Sequence, residues 1–434
     1  MQPSGLVVAD DLTGATDTGH EFAARGRRTL VSARGASTDA GARPDVRVVD
    51  TDSRYADPSD AAARVERAVG DGGHAFVYKK VDSTLRGNLV AEVDAALGAT
   101  GADVALVAPA SPRNGRTTVE GYHLVDGVPV AETDAGNDPE KPVETSHLPA
   151  RFASSTFPVV RLPVNRVAAG AAAVADELDA AAREGRTVVV ADASHERHLE
   201  AIAAGAARAD CAVLYVGSAG LARYVETPPP AGDGPPPVPR RERSVLCVVG
   251  STNPATLEQV RALPDSAVVP LDLEAAVESP EAASENAAAA CADRLSRSGL
   301  AALVSAPDAD APARAVEAGR RLGTDEAAVR ARVSESLAGA VARLWDGRGE
   351  SGRGGDPPES LFVTGGAVAA DAFDALDAAG VLLAGESVEE GIPLGRVAGG
   401  GADGTPVVTK AGAFGTPGAI RKCAARLGGR DDFE

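Results

Sequence analysis

The stretch AFVYKKVDSTLRGNLVAEVDAAL, residues 75–97, places a strand, a charged turn and a helix in immediate succession. Ala75–Tyr78 has the apolar and aromatic character of a short buried strand, and Leu89–Leu97 has the spacing of a helix. Lys80 and Arg86 lie in the turn between them. Open α/β sheets bind ligands beyond the carboxyl ends of their strands, and an arginine can hold a carboxylate or phosphate through two parallel hydrogen bonds. The stretch therefore predicts an α/β fold with an anion-binding site at the end of this strand.

The same alternation of short strands and Ala-rich helices runs along the whole chain, which is typical of βαβ units and a largely parallel sheet. A segment with seven prolines between Thr227 and Pro239 interrupts it, and so many prolines exclude a helix or central strand. We therefore predict two α/β domains with mostly parallel sheets, residues 1–226 and 244–434, joined by a Pro-rich linker at 227–243. Predicted strands are Leu6–Ala9, Val46–Asp50, Ala75–Tyr78, Val104–Ala108, Val159–Leu162, Thr187–Ala191, Val213–Val216, Ser244–Val249, Val268–Leu271, Leu300–Val304, Leu361–Thr364, Val381–Ala384 and Val407–Lys410.

Composition restricts the class of protein. The 434 residues include 62 acidic and 43 basic side chains, for a net charge of −19 that is spread along the chain, as on proteins of a salty cytoplasm. No basic stripe exists to neutralise phosphates, so we expect no nucleic-acid partner. No apolar run approaches the ~18 residues of a membrane span and no signal pattern is present, so a cytoplasmic protein is expected. The four scattered cysteines indicate free thiols, and a homodimer is the default assembly.

Polar residues follow two further strands of the first domain. Asp10 and Asp11 come directly after the first strand, and Arg54 closes the turn after Val46–Asp50. One acid would be enough to cap a helix, so the pair favours a functional interpretation. The loop Pro109–Gly121, which contains Arg116, offers another cation. Together with Lys80 and Arg86, these residues predict an anionic substrate with a carboxylate near one of its hydroxyls.

Three strands of the second domain end in glycine turns, at Gly250–Ser251, Thr364–Gly366 and Lys410–Gly412. Glycine lets the backbone approach a ligand, and amides at a helix N-terminus bind phosphate. Three such turns in one domain, beside one of the few lysines, predict a polyphosphate cradle. The chain has no Gly-Lys pair and hence no Walker A motif. Gly399–Gly404 matches G-x-G-x-x-G but precedes a strand, so a loop is expected there.

These motifs coincide with those of a known family. ADDLTGATDTG (9–19), KVDSTLRGN (80–88), VGSTNPAT (249–256) and VTKAGAFG (408–415) resemble the four-carbon acid sugar kinases, which phosphorylate threonate, erythronate or oxo-tetronates with ATP. The resemblance implies a sugar-acid-binding N-terminal domain and a nucleotide-binding C-terminal domain. It further implies that the acid is contacted by Asp10 or Asp11, Arg54, Lys80, Val81, Asp82, Ser83 and Arg86. The implied ATP contacts are Ser251, Thr364, Gly365, Gly366 and Gly412.

The expected reaction is phosphorylation of a terminal hydroxyl, with Asp10 or Asp11 accepting its proton. Glycine-turn amides and Lys410 would stabilise the transferring phosphoryl group, and Mg²⁺ would bridge the phosphates with no protein ligands assigned. The family often carries an acid directly after the paired glycines, where this chain has Ala367. That departure keeps open a non-catalytic sensor of ATP and a sugar acid. The sequence is also compatible with a kinase for a different small sugar acid and with a phosphatase.

Overall fold

The computed structural model describes residues 4–32, 44–70, 72–138, 140–230, 232–347 and 356–431. The chain divides into two compact units. The first holds the described parts of 4–29 and 44–234, and the second holds 30–32 and the described parts of 235–431. Strands and helices alternate through most of both units, and the predicted α/β fold class is confirmed. Every helix in the described ranges is too short or too polar to cross a bilayer.

The strands, numbered in chain order, are short except in one hairpin near the C-terminus. They are β1 (Gly5–Ala9), β2 (Thr29–Ser32), β3 (Val46–Asp50), β4 (Val77–Lys80), β5 (Val104–Ala108), β6 (Arg116–Val119), β7 (Tyr122–Val125), β8 (Val128–Pro129), β9 (Val159–Leu162), β10 (Thr187–Ala191), β11 (Val213–Gly217), β12 (Val245–Val249), β13 (Val268–Pro270), β14 (Leu300–Val304), β15 (Ser360–Thr364), β16 (Gly380–Glu389), β17 (Ile392–Ala398) and β18 (Pro406–Lys410).

The helices lie mostly between consecutive strands. They are α1 (Leu12–Ala23), α2 (Pro58–Val69), α3 (Leu89–Thr100), α4 (Leu148–Arg151), α5 (Val164–Ala168), α6 (Ala171–Arg183), α7 (Glu196–Ala206), α8 (Ala219–Ala222), α9 (Pro254–Arg261), α10 (Leu273–Glu278), α11 (Pro280–Ser298), α12 (Ala311–Arg321), α13 (Glu326–Asp346), α14 (Gly366–Ala375) and α15 (Ala419–Gly428).

The main sheet of the first unit is entirely parallel, with strand order β3-β1-β4-β11-β5-β10-β9. β1, β5 and β10 are buried at every residue, as expected for apolar runs covered by helices on both faces. The carboxyl ends of β3, β1 and β4 are neighbours, so the polar turns that follow them meet at one edge. A separate antiparallel sheet is formed by β6, β7 and β8.

The second unit contains a mixed sheet with order β13-β14-β12-β15-β18-β17-β16-β2. The first five strands in this order, β13, β14, β12, β15 and β18, pair in parallel. The pairings of β18 with β17, β17 with β16 and β16 with β2 are antiparallel. Here β12, β15 and β18 are adjacent, so the three predicted glycine turns converge at the carboxyl edge of this sheet. The loop predicted at Gly399–Gly404 lies outside any helix or strand, directly before β18.

Two strands of the second unit were not predicted from the sequence. β17 forms a hairpin with β16 through Gly391, whose φ is +73°, and β16 continues well beyond the predicted Val381–Ala384. β2 lies far away in sequence and pairs with the start of β16. A Cβ at Gly380 would lie 2.0 Å from the carbonyl oxygen of Val31, so this pairing depends on glycine. Such a contact leaves no local pattern in the sequence.

The second half of the Pro-rich linker belongs to the second unit. Val238 is 2% exposed and packs in that unit's core. Arg396 donates to the carbonyl of Pro237, and Arg426 donates to the carbonyl of Val238 at 2.7 Å. The segment from 235 onward is therefore held by hydrogen bonds and packing and does not act as a free spacer.

The strand predicted at Ala75–Tyr78 instead ends at Lys80, so both lysines lie within β4. Lys79 is completely buried, and its ammonium lies 2.8 Å from a carboxylate oxygen of Glu92 on α3. The other oxygen of Glu92 accepts a hydrogen bond from Ser53 at 2.6 Å. This ion pair allows a charged side chain inside the sheet and ties β4, α3 and the turn after β3 together.

Glu92→Gln should strongly destabilise the protein, because it leaves the Lys79 ammonium buried without a counter-charge. We expect the free energy of unfolding to fall by about 3–5 kcal/mol, measured by guanidinium denaturation. Glu66→Gln on the exposed face of α2 is the matched control and should change it by less than about 0.5 kcal/mol. Equal stability of the two variants would contradict the role given to this ion pair.

Candidate functional site

One arginine forms ion pairs with both acids at the end of β1. Arg54 Nε lies 2.7 Å from Asp10 Oδ2, and Nη2 lies 3.0 Å from Asp10 Oδ1. The same guanidinium donates to both oxygens of Asp11, at 2.8 Å each. Asp11 also caps α1 by accepting the amide hydrogen of Gly14 at 2.8 Å. The three predicted residues Asp10, Asp11 and Arg54 are therefore brought together in one ion cluster.

The two acids differ in their electrostatics. Asp10 is 2% exposed, and although burial opposes ionisation, Arg54 and the nearby lysines hold its pKa below the ordinary value. Burial has the largest effect on the pKa of Asp11. Burial and the negative charge of Asp10 together outweigh the effect of Arg54, so the pKa of Asp11 is raised. The Asp11 side chain is 28% exposed, so it is the member of the pair that a ligand can reach.

A second ion pair forms in the turn after β4. Arg86 Nε lies 2.8 Å from Asp82 Oδ2, and its Nη1 faces Asp138 at 3.7 Å. Burial works against the charged form of Asp82, but Arg54 and Arg86 keep its pKa far below the usual range. Positive φ values at Leu85 and Gly87 turn the backbone tightly here. Arg86 keeps 31% of its side chain exposed, so it remains accessible to an anion.

The other predicted site residues of the first unit lie outside these two ion clusters. Lys80 donates to the carbonyl of Val81 at 2.9 Å, and its ammonium fills the space where Gly14 lacks a side chain. The carbonyl of Ser83 accepts a hydrogen bond from the buried ring of His123 at 2.9 Å. Arg116 donates to the carbonyl of Asn114, while its buried Nε has no partner among the described residues. Lys80 thus ends β4 and Val81 and Ser83 follow it directly, whereas Arg116 lies on β6, which pairs with the strand that carries His123.

Sequence reasoning missed several residues that shape this edge. Glu92 accepts a hydrogen bond from Ser53 in the turn after β3, and His123 donates one to Ser83 in the turn after β4. Asp138 faces Arg86. Asp17 on α1 lies near Lys80 and Asp11. A sequence signal existed only for Asp17, which falls on the same helix face as Gly14, three residues earlier. The others come from distant loops and helices that only the fold brings close.

The predicted glycine turns of the second unit meet around Ser251. A Cβ at Gly412 would lie 2.3 Å from Ser251 Oγ, and one at Gly365 would lie 3.4 Å from the Ser251 amide nitrogen. Gly365, with φ +102°, precedes α14, and no side chain that the structure describes caps that helix. The hydroxyl of Thr364 is buried and has no hydrogen-bond partner among the described residues. Gly366 begins α14, and no atom of the described ranges lies within 4 Å of where its Cβ would be.

The side chain of Lys410 binds the loop that directly follows it in the chain. Its ammonium donates to the carbonyls of Ala411 at 2.7 Å, Gly412 at 3.2 Å and Phe414 at 3.2 Å. Burial lowers the pKa of Lys410 to about 8, which still leaves it protonated at neutral pH. The lysine therefore shapes the loop that carries Gly412. Ala367, at the position where the resembling family often has an acid, is exposed at the start of α14.

A protein-bound Mg²⁺ finds little support in these residues. In the described part of the chain, no group of three or more His, Cys, Asp or Glu side chains is placed to hold a metal ion. The carboxylates of Asp10 and Asp11 are already bound to Arg54. Mg²⁺ commonly uses one or two carboxylates and substrate phosphates while keeping several waters. The donor set suits an ion carried on a nucleotide better than one bound by the protein alone.

Arg54→Met should destabilise the protein in a pH-dependent way. Arg54 lowers the pKa of Asp10, so its stabilisation is present above the ordinary aspartate value of 3.8 and is lost as pH falls below it. Without Arg54, burial raises the pKa of Asp10 and raises that of Asp11 further, so both carboxyls take up protons in the folded variant above 3.8. The penalty on folding is therefore largest at neutral pH and already smaller at pH 4.5. We expect a loss of about 3–5 kcal/mol at pH 7.5 that shrinks at pH 4.5, measured by guanidinium unfolding.

The exposed pair of Arg297 and Asp293 provides the control, since both side chains are largely in solvent. Arg297→Met should change stability by less than about 1 kcal/mol at either pH. A loss in Arg54→Met that is the same at both pH values would argue against carboxylate neutralisation as its role.

Comparison with known proteins identifies both halves of the chain. A family model described as a sugar-binding N-terminal domain matches residues 5–225. A second, described as a nucleotide-binding C-terminal domain, matches residues 246–420. A solved structure of a Salmonella typhimurium LT2 protein superposes with a TM-score of 0.76 at 25% identity, covering 97% of this chain and 98% of that one.

Curated relatives span nearly the whole chain. A D-threonate kinase of Salmonella typhimurium is 35% identical over 95% of each chain. A D-erythronate kinase of Heliobacterium modesticaldum is 32% identical over 97% of this chain and 96% of its own. A 3-oxo-tetronate kinase of Methylobacterium radiotolerans is 31% identical over 90% and 92%. With both domains matched in order and these relatives aligned end to end, the protein belongs to the four-carbon acid sugar kinase family.

Proposed function

We propose that the protein is an ATP-dependent kinase that phosphorylates the terminal hydroxyl of a four-carbon sugar acid of the threonate, erythronate or oxo-tetronate type. The observation that carries this proposal is the near full-length similarity to kinases of these three acids. Two features of the fold support it. Ionic side chains gather at the carboxyl edge of the first unit's sheet, and glycine turns gather at the corresponding edge of the second.

In the first unit, Arg86 is the residue best suited to the substrate carboxylate. Its guanidinium is partly exposed and is oriented by Asp82 at 2.8 Å. A planar guanidinium recognises a carboxylate through two parallel hydrogen bonds, which a lysine cannot reproduce. Lys80 adds positive charge nearby, and Arg116 is the remaining cation that we predict to contact the acid. Asp11, more exposed than Asp10, would accept a hydrogen bond from a substrate hydroxyl.

In the second unit, the residues around Ser251 suit the phosphates of ATP. No side chain in the described part of the chain caps the α14 N-terminus, where backbone amides favour a phosphate group. The buried hydroxyl of Thr364 has no partner among the residues described, and a ligand at this edge would supply one. Gly365, Gly366 and Gly412 leave room for the phosphates. Lys410 would act indirectly, by holding the loop of Gly412 in place.

A non-catalytic sensor of ATP and a sugar acid is the second candidate, and Ala367 is the observation that favours it. An acid at that position could hold the nucleotide's metal ion, whereas alanine cannot. A sensor would bind both ligands without turnover. A kinase for a different small sugar acid and a phosphatase give different outcomes in the same assay.

The deciding experiment measures ADP release with Mg-ATP in high-salt buffer across D- and L-threonate, D-erythronate and the oxo-tetronates. ADP formation above the no-acid background, with a phosphomonoester product seen by ³¹P NMR, would support the kinase and identify its substrate. Tight binding of both ligands without ADP would favour the sensor. Phosphate release from a phosphorylated acid without ATP would favour a phosphatase.

Arg86→Ala should raise the KM for the acid about 10²-fold while lowering kcat much less, because it removes a contact made equally in ground and transition states. Steady-state kinetics at saturating ATP provide the measurement. Arg86→Lys should recover only part of the affinity, since a lysine cannot donate two parallel hydrogen bonds to a carboxylate. An unchanged KM in both variants would remove Arg86 from the binding site.

Gly412→Val should weaken ATP binding at least 10-fold and leave acid binding intact, because its side chain would enter the space of Ser251. Gly401→Ala is the matched control, since nothing lies within 4 Å of its Cβ position. Calorimetric titration of each variant with a non-hydrolysable ATP analogue gives the result. Wild-type affinity in Gly412→Val would place the nucleotide elsewhere.

A further inference from the structure

Helix α1 carries a row of acids that begins at the candidate sugar-acid site. Asp11 caps the helix, and Asp17 and Glu21 follow on the face that includes Gly14, because residues three and four apart are neighbours on a helix. Lys80 lies against this face, since its ammonium is 2.9 Å from where a Cβ of Gly14 would be. Asp17 is thus one helical turn after Gly14, whose Cβ position lies close to both the Asp11 carboxylate and the Lys80 ammonium.

The acids around this point differ in whether they have partners. Asp10 and Asp11 share the guanidinium of Arg54. Glu21 is held by Arg223 through two hydrogen bonds, at 2.6 and 2.8 Å. Asp17 has neither a hydrogen bond nor an ion pair to any residue that the structure describes, although it is half-buried. Burying a carboxylate without a donor is unfavourable, so such groups commonly serve a ligand.

The surroundings of Asp17 also suit proton transfer. The charged groups that face it are Lys80, Glu21, Asp11 and Arg223. Burial is the largest influence, and together with the two acids it outweighs the cations and raises the pKa of Asp17 to about 6. A general base works best when its pKa lies near the working pH. By contrast, every carboxylate oxygen of Asp10 and Asp11 already accepts a hydrogen bond from Arg54.

We propose that Asp17, and not the Asp10–Asp11 pair, is the general base that accepts the proton of the substrate hydroxyl. This inference rests on the kinase function proposed above. The Asp17 carboxylate takes the hydroxyl proton as the hydroxyl oxygen forms a bond to the γ-phosphorus of ATP. The bond from that phosphorus to the β–γ bridging oxygen breaks, and ADP leaves with its electron pair. The proton passes from Asp17 to solvent after product release. Lys80 keeps Asp17 ionised at neutral pH, and Arg54 keeps Asp10 and Asp11 in place to orient the substrate.

The test compares the full-length wild type with Asp17→Asn and Asp17→Glu, using the acid that gives the highest rate of ADP release. Asp17→Asn should lower kcat by about 10²–10³-fold and change the KM for the acid by less than about threefold. In the wild type, kcat should fall with unit slope below a pH of about 6, and this limb should be absent in Asp17→Asn. Asp17→Glu should recover part of kcat and keep a pH limb.

Asp176→Asn, an exposed aspartate on α6, controls for a change of acid to amide and should leave kcat unchanged. If the wild type is active and Asp17→Asn retains kcat and the acidic limb, the kinase function stands and the assignment of Asp17 is overturned. A rise in KM with kcat unchanged would likewise overturn it in favour of binding. If the wild type releases no ADP with any of the acids, the kinase proposal fails and the assignment falls with it.

Discussion

The arrangement of the first unit depends on the contact between one guanidinium and two adjacent carboxylates. Arg54 binds all four carboxylate oxygens of Asp10 and Asp11 and is the strongest of the cations that favour their ionised forms. This contact joins the turn after β3 to the start of α1, and Asp82 after β4 lies 3.9 Å from the same guanidinium. Three neighbouring strand ends are therefore fixed by a single cation. The negative charge it balances would otherwise repel an anionic substrate.

The adjacent residues Lys79 and Lys80 make different contacts because both lie in strand β4. Successive side chains of a strand point to opposite faces, so Lys79 and Lys80 point in opposite directions. Lys79 enters the core and meets Glu92, while Lys80 reaches α1 at Gly14. The buried Lys79–Glu92 pair holds β4 against α3, and Lys80 places a positive charge beside the start of α1. Exchanging their roles would require a shift of the strand by one residue, which the apolar core forbids.

The candidate site of the second unit is built from closely approaching backbone segments, whereas that of the first unit is built from ion pairs. Its candidate site combines glycines that leave no space for a side chain around Ser251 with the start of α14, which no described side chain caps, and the Thr364 hydroxyl, which has no partner among the described residues. Lys410 holds the surrounding loop by binding its carbonyls. Anion binding here would rely on amides and hydroxyls, which suits a polyphosphate that arrives with its own metal ion.

Local patterns in the chain were enough to predict the α/β class, most strands and the motifs at both sheet edges, because hydrophobic period and turn residues are local signals. Asp10, Asp11 and Arg54 were predicted as site residues from the pair of acids, from their positions at strand ends and from the family resemblance. Folding added what local patterns cannot carry: that Arg54 binds both acids, that Lys410 faces its own loop, and that β2 pairs with β16. It also left Asp17 without a partner among the described residues, since a charge is free or neutralised only by neighbours that folding brings from distant parts of the chain.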